Sequence, residues 1–400
     1  MPFQPLVSVV TPSYNQARFV RLAIESVLGQ DYPLIEYSVY DGGSTDGSVE
    51  IIREFQDQLA FWVSEPDAGQ ADAVNRGWQR SRGEILAWLN SDDVYEPGAV
   101  SAVVEAFRRH PWAGVVSGDC QVIDEAGAIV KSLPSSGFSI HALLAGNSLP
   151  QQGVFCRRSA VAAAGWPDTS LNYVFDWALW LRLWLHGVRF YHLRRVLAGF
   201  RLWDGSKTPA TTVGASLSGG MGFARERYHV LADLVQEPHG VEAQESPLLR
   251  EARLGCMLEM ALLHQIAAQS ERAAFCFDQF ATETPDPARS LPYPQALAAH
   301  LAYLAGDIDR AIKDFVGSLA SVLRQRHLPA YPTHWTRALR AETFLVQAWD
   351  ASHYGDDARS AHCFARALLA HPSLLLQRRV ISPATRHSLK ALAAGRGIPS

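Results

Sequence analysis

Apolar and polar positions alternate in blocks along the first 115 residues. Short apolar runs closed by turn chemistry read as buried strands, and runs with apolar residues three and four apart read as helices. Leu6 to Val10 is a predicted strand, ended by Thr11-Pro12-Ser13-Tyr14-Asn15. Phe19 to Leu28 carries Phe19, Val20, Ala23, Ile24, Val27 and Leu28 at helical spacing. A strand over Ile35–Tyr40 follows, then the turn Asp41-Gly42-Gly43-Ser44-Thr45-Asp46-Gly47 and a helix from Ser48 to Leu59. Phe61–Val63 is a short strand, Gln70–Ser81 a helix, Ile85–Leu89 a fourth strand and Pro97–His110 a further helix, with Pro in its first turn. Strands alternating with helices predict an α/β fold, a mostly parallel sheet with helices on both faces.

The pattern loosens from 115 to 203. Gly114–Gly118 and Ala128–Leu133 read as strands, and short strands and helices mix through Phe155, Ala160–Ala164 and Asn172–Gly187. Five of the 11 tryptophans fall here. Trp177, Trp180 and Trp184 follow helical spacing and are expected in the core; Trp166 and Trp203 lie in predicted loops and could stack on a sugar. Between 205 and 220, 11 of 16 residues are Gly, Ser, Thr or Pro, the composition of a lid or linker. Beyond 223 nothing resembles a strand. Three segments, starting at Glu271, Asp307 and Asp357, look alike and resemble the second helix of tetratricopeptide-type repeats. Their spacing is irregular, 37 residues from Ala274 to Ala311 and 50 to Ala361, so a plain helical bundle is the alternative. The expected domains are 1–208, a linker at 209–222 and an all-α region at 223–400, which could serve as a protein-docking or oligomer surface.

Composition narrows the class. In 400 residues, 48% hydrophobic content is ample for a core, and a net charge of −4 gives no reason to expect a nucleic-acid partner. No run of about 18 apolar residues occurs. Met1-Pro2-Phe3-Gln4-Pro5 lacks the features of a secretory signal. The five cysteines are scattered, with no CxxC pair. The expectation is a cytoplasmic protein, touching a membrane at most peripherally at its inner face.

The chemistry-bearing residues are acids where strands end. In open α/β sheets ligands bind outside the carboxyl ends of the strands. Asp41 closes the second strand beside a glycine-rich turn; Asp46 is expected to cap the helix that follows. Asp92 and Asp93 follow the fourth strand after Asn90-Ser91. Adjacent carboxylates repel, and a divalent cation is the simplest compensation. Such a set suits a nucleotide diphosphate. Asp176, opening the helix Trp177–His186, is the candidate general base after the sheet ends. No GxGxxG follows the first strand, and neither a GxxxxGK[ST] loop nor a GxSxG elbow occurs, which argues against a dehydrogenase, a P-loop ATPase and an α/β-hydrolase.

Five ordered stretches together resemble glycosyltransferase family 2, over roughly residues 5 to 208. They are Val7–Asn15, Tyr40–Ser48, Ser64–Gly77, Leu89-Asn90-Ser91-Asp92-Asp93 and Phe175–Leu183. The resemblance implies the GT-A fold and an inverting transfer from a nucleotide-activated sugar, usually a UDP-sugar, with Mg²⁺ or Mn²⁺. It implies that Thr11, Pro12 and Tyr14 line the base pocket and that Asp41 binds the base. Asp72 and Asn75 would lie near the nucleotide or donor sugar, Asp92 would contact ribose, Asp93 would hold the metal and Asp176 would be the catalytic base. Arg201, Ser206 and Lys207 resemble a motif that closes over the diphosphate. The acceptor expected from the family is a glycan or lipid-linked glycan, in bacterial surface polysaccharide synthesis. Two departures stand out: Asn90 where many relatives carry Asp, and Trp203 where relatives often have His. The rival classes are a sugar-phosphate nucleotidyltransferase and a non-catalytic helical scaffold.

Overall fold

The structure, a computed structural model, describes residues 4–133, 137–146, 149–203, 217–236, 246–284, 297–298, 301–302, 307–353 and 357–370. The chain divides into two compact units, Met1–Ser206 and Lys207–Ser400.

The first unit is built on one nine-stranded sheet. Its strands are β1 (Val7–Ser13), β2 (Ile35–Asp41), β3 (Phe61–Ser64), β4 (Ile85–Trp88), β5 (Val94–Tyr95), β6 (Val115–Ile123), β7 (Ile129–Leu133), β8 (Val154–Arg157) and β9 (Phe190–Arg201). They run in the order β3-β2-β1-β4-β8-β6-β9-β5, with β7 on β6. The first four strands pair in parallel, as expected. Beyond β4 the sheet is mixed: β8 runs antiparallel to β4 and β6, while β6 and β9 pair in parallel. All four strands of the parallel half point their carboxyl ends to one edge, where Ser13 stands beside Asp41 and Asp41 beside Ser64.

Alternation along the strands explains the helices on both faces. Val7, Val9, Tyr37, Val39, Ile85 and Ala87 bury one face under α1 (Val20–Leu28) and α4 (Ala99–Arg109). On the other face α3 (Gln70–Arg80) lies so close that a Cβ on Gly77 would sit 2.6 Å from the methyls of Val10. Only glycine allows that approach. Trp78 follows it, donating through Nε1 to the Ala87 carbonyl (3.0 Å) and packing edge-on against Trp88. Trp88 then stacks on Trp180 of α7 (Phe175–Leu185), with ring centroids 5.7 Å apart. Trp177 and Trp180 are buried as expected, whereas Trp184 is partly exposed. The remaining helices of this unit are α2 (Ser48–Glu54), α5 (Ile140–Ala145) and α6 (Arg158–Ala164); a 3₁₀ turn at Gln151–Gly153 leads into β8.

β9 is an element the apolar pattern does not reveal. Its register against β6 shifts around Asp119, and the exposed Arg194 and Arg195 fall at that shift and break the alternation.

The described helices of the second unit are α8 (Leu217–Gln236), α9 (Ser246–Ile266), α10 (Ser270–Glu283), α11 (Ile308–Gln325), α12 (Pro332–His353) and α13 (Asp357–Ala370). Each packs on the next in sequence. The three look-alike segments open α10, α11 and α13, and Asp307 caps α11 by accepting the Arg310 N–H (3.0 Å). Helix α8 begins inside the expected linker, and Ala224 and Leu231 lie buried along it. Its Arg227 pairs with Glu259 of α9, both buried.

Candidate active site

The loops after β1 and β2 are tied together side chain by side chain. Asn15, in the left-handed region (φ 52°), gives its N–H to Ser44 Oγ (2.7 Å) and accepts the Thr45 N–H (3.0 Å). Gln16 gives its N–H to Ser48 Oγ and Ala17 gives its N–H to Asp46. Asp46 also accepts the N–H and hydroxyl of Ser48, but the N-cap of the helix is Gly47, so Asp46 ties the turn before the helix rather than capping it as expected. Burial tends to raise the Asp46 carboxyl, but these bonds outweigh it and hold the group below the usual range. Tyr14 stands out of this locked pair of loops with 63% exposure, free to present its ring.

Asp41 is 1% exposed. One oxygen accepts the N–H groups of Gly43 (3.1 Å) and Ser44 (2.9 Å) and the hydroxyl of Ser64 (2.7 Å), and the other accepts the Ser44 hydroxyl (2.5 Å). It shapes the glycine turn from within. Thr11 is 0% exposed. Its hydroxyl shares a buried hydrogen bond with the Tyr37 hydroxyl (2.9 Å), because the strand alternation that lines the core turns Thr11 inward. Pro12 is likewise buried.

Helix α3 starts at the same edge. Gln70 donates to Asn90 Oδ1 (2.6 Å), which ties the helix start to the link after β4. Asp72 accepts the Ala68 N–H (3.3 Å) and lies 4.0 Å from Arg76, and Asn75 accepts from Gln79 (2.9 Å).

The two adjacent acids have opposite surroundings. Asp93 is 0% exposed. One oxygen accepts from Asn90 (3.0 Å) and Gln152 (2.9 Å), and the other accepts the Arg201 N–H (2.8 Å). Burial and the neighbouring Asp92 charge push its carboxyl well above the usual range. Asp92 keeps a partly exposed carboxylate whose Oδ2 accepts the Trp203 indole N–H (3.0 Å). Burial raises it too. Both Asp93 oxygens thus accept hydrogen bonds from within the fold, whereas Asp92 is a partly exposed residue with one described side-chain donor. Asn90 finds a reason here: an Asp in its place would turn a second carboxylate toward Asp93 instead of an amide donor.

Arg201 is 1% exposed. Its Nε donates to the Asp92 carbonyl (2.8 Å), one terminal nitrogen donates to the carbonyls of Asp124 (2.7 Å) and Glu125 (3.1 Å), and its guanidinium lies over Phe19. Pairing of Arg201 with Ile123 in the ladder directs it there. Ser206 and Lys207 lie outside the described residues.

Asp176 sits in the first turn of α7 and accepts the Trp177 N–H (2.7 Å). Its neighbour Phe175 packs on Trp88, the last residue of β4, with centroids 5.5 Å apart. That contact brings the start of α7 to the edge where the Asn90–Asp93 link begins. Trp166 lies instead beneath the Arg158 guanidinium, 5.7 Å from its ring.

Gln151 and Gln152 escaped the sequence reading. They are 9% and 7% exposed; Gln151 donates to the Trp88 carbonyl (2.8 Å) and accepts from Asn90 (3.3 Å). The available signal was two amides directly before the apolar run Val154-Phe155-Cys156. Buried amides need partners: Gln151 finds them in the Trp88 carbonyl and Asn90, and Gln152 in Asp93.

Comparisons with known proteins point the same way. The family model described as Glycosyl transferase family 2 matches residues 8–138. An uncharacterized glycosyltransferase of Mycobacterium tuberculosis is 32% identical over 186 residues, 46% of this chain and 70% of that protein. One from Nostoc is 35% identical over 129 residues, 30% of this chain but only 40% of its own length. A Bacillus subtilis glycosyltransferase assigned by name to teichuronic acid biosynthesis is 26% identical over 208 residues, 51% of this chain and 82% of that one. Among solved structures, residues 1–349 of Staphylococcus aureus TarS in complex with UDP-GlcNAc share the fold at a TM-score of 0.54 and 12% identity, covering 84% of this chain and 91% of that one. With the acids, the locked loops and the GT-A-like sheet in place, the chain belongs to glycosyltransferase family 2.

Proposed function

We propose that this chain transfers a sugar from a nucleotide-diphosphate donor, a UDP-sugar, to an acceptor hydroxyl with inversion at the anomeric carbon. The observation that carries this reading is the Asp92 carboxylate. It is partly exposed at the carboxyl end of β4, beside a fully buried Asp93 that holds the link in shape. The B. subtilis relative's name and the UDP-GlcNAc complex of TarS support a cell-surface glycan acceptor and a uridine donor.

The residues fit a divalent cation in one form. Among the described residues no three His, Cys, Asp or Glu side chains converge. A Mg²⁺ or Mn²⁺ ion here would be held by Asp92 together with donor diphosphate oxygens and water, a usual arrangement for such ions. Bound there, it neutralises charge on the departing diphosphate. Tyr14 stacks on the base, and Asp72 and Asn75 lie on the helix facing the donor. Asp176 accepts the proton of the acceptor hydroxyl as that oxygen bonds to the anomeric carbon. The bond from that carbon to the diphosphate oxygen breaks, and the nucleoside diphosphate leaves with the electron pair.

Asp176→Asn is expected to keep donor binding, read as a thermal shift with UDP and Mn²⁺, while transfer falls by 10²-fold or more, on the order of a lost general base. Turnover equal to wild type would sink the base assignment. Absence of any shift with nucleoside diphosphates in the wild type would sink the donor class. Among the described residues no helix is long and apolar enough to cross a membrane, and a lipid-linked acceptor would be met at a membrane surface.

A further inference from the structure

We infer that Trp203 is the positioning residue of the cation-binding carboxylate. The inference rests on the cation role proposed for Asp92 and adds to it the group that aims that side chain. The indole Nε1 donates to Asp92 Oδ2 at 3.0 Å. The ring is itself fixed, edge-on to Phe19, with centroids 5.2 Å apart and planes at 63°. Phe19 is 2% exposed and carries the Arg201 guanidinium 4.9 Å above its ring.

Arg201 and Trp203 stand two residues apart where β9 ends, and residues two apart on an extended chain face the same way. Both reach Asp92: Arg201 holds its carbonyl (2.8 Å) and Trp203 its carboxylate. The intervening Leu202 gives its N–H to the Ile123 carbonyl (2.9 Å), which sets the register of the pair. Backbone and side chain of one acid are thus held by a single stretch of chain.

An indole N–H is a donor only. Tryptophan therefore cannot ligate a cation through that group and reaches the site through Asp92. Its bond claims one carboxylate oxygen and stops rotation about the terminal torsion, so the other oxygen is presented in one orientation. Asp92 would then turn its other oxygen toward a cation. Partners of this kind behind a metal ligand typically change metal affinity 10- to 100-fold when removed.

The test uses the full chain, with Mn²⁺ binding followed by electron paramagnetic resonance in the presence of UDP. Trp203→Phe keeps a ring against Phe19 and lacks the donor; Trp203→Gln keeps an N–H donor and lacks the ring. Mn²⁺ affinity is expected to fall about 10- to 100-fold in Trp203→Phe and to stay nearer wild type in Trp203→Gln. Unchanged affinity in Trp203→Phe, or equal loss in both variants, overturns the inference. If Trp203→Phe does not fold, Trp203→Gln decides alone: retained affinity supports the donor role and lost affinity overturns it. A wild type that binds UDP but no Mn²⁺ overturns the inference while the donor reading stands. A wild type that binds neither overturns the functional reading as well.

Discussion

Asp92 and Asp93 illustrate how far apart neighbouring residues can be in role. Asp93→Ala would orphan two buried donors, from Gln152 and Arg201, and a part-buried one from Asn90. Each orphaned donor costs roughly 1–3 kcal/mol. Asp92→Ala removes a partly exposed group with one described donor, Trp203. Urea unfolding should therefore show a loss of several kcal/mol for Asp93→Ala and less than about 1 kcal/mol for Asp92→Ala, with Mn²⁺-dependent UDP binding lost in Asp92→Ala. The reverse pattern would return the cation to Asp93. The acid pair was legible in the sequence because acids at a strand end are rare in a core. Which of the two meets the ligand was not legible, since that depends on donors arriving from residues 152, 201 and 203. The burial of Arg201 was not legible for a related reason: its place inside the fold follows from the β6–β9 ladder, which no local pattern shows.

Among the elements, the parallel strands and their helices were readable because each is a local pattern: a run, a turn, an amphipathic stripe. β9 was not, since its register shift against β6 and its two arginines destroy the alternation that marks a strand. Neither was the lock between the loops after β1 and β2, which depends on residues such as Asn15 and Ser44 that look like ordinary turn formers. Asp46 supplies one testable part of that lock. Its folded carboxyl lies below the usual range, so its contribution is complete above the unfolded value, near pH ~4, and is lost as pH falls through the folded value. The stability gap between wild type and Asp46→Asn should accordingly be constant at neutral pH and close on acidification below about 4. A gap that widens in acid would contradict the assignment.

At the scale of the whole molecule, two units each enclose a core of their own. The division at Ser206 and Lys207 falls in the Gly/Ser/Thr/Pro-rich stretch, and α8 begins within that stretch. In the helical unit, Arg227 and Glu259 form a buried pair. Removing one partner of such a pair leaves an uncompensated charge and costs about 3–5 kcal/mol. Glu259→Ala should lower the calorimetric transition of the helical unit. UDP with Mn²⁺ at about 100-fold over its dissociation constant should instead add about 2.7 kcal/mol to the α/β unit. If both perturbations move one common transition, the units unfold together.

The donors that hold Asp93 come from 59 and 108 residues further along the chain. Such bonds close long loops, and contacts between distant residues form late in folding. Gln152→Ala is expected to speed unfolding while leaving refolding nearly unchanged, read from stopped-flow rates across denaturant; a slowed refolding arm instead would place Gln152 in the folding nucleus. During synthesis, the acid pair emerges long before Arg201 does. For that interval the nascent chain carries a sheet edge whose central carboxylate has no settled place, so the proposed donor site would be complete only when the last strand of the sheet has been made and docked.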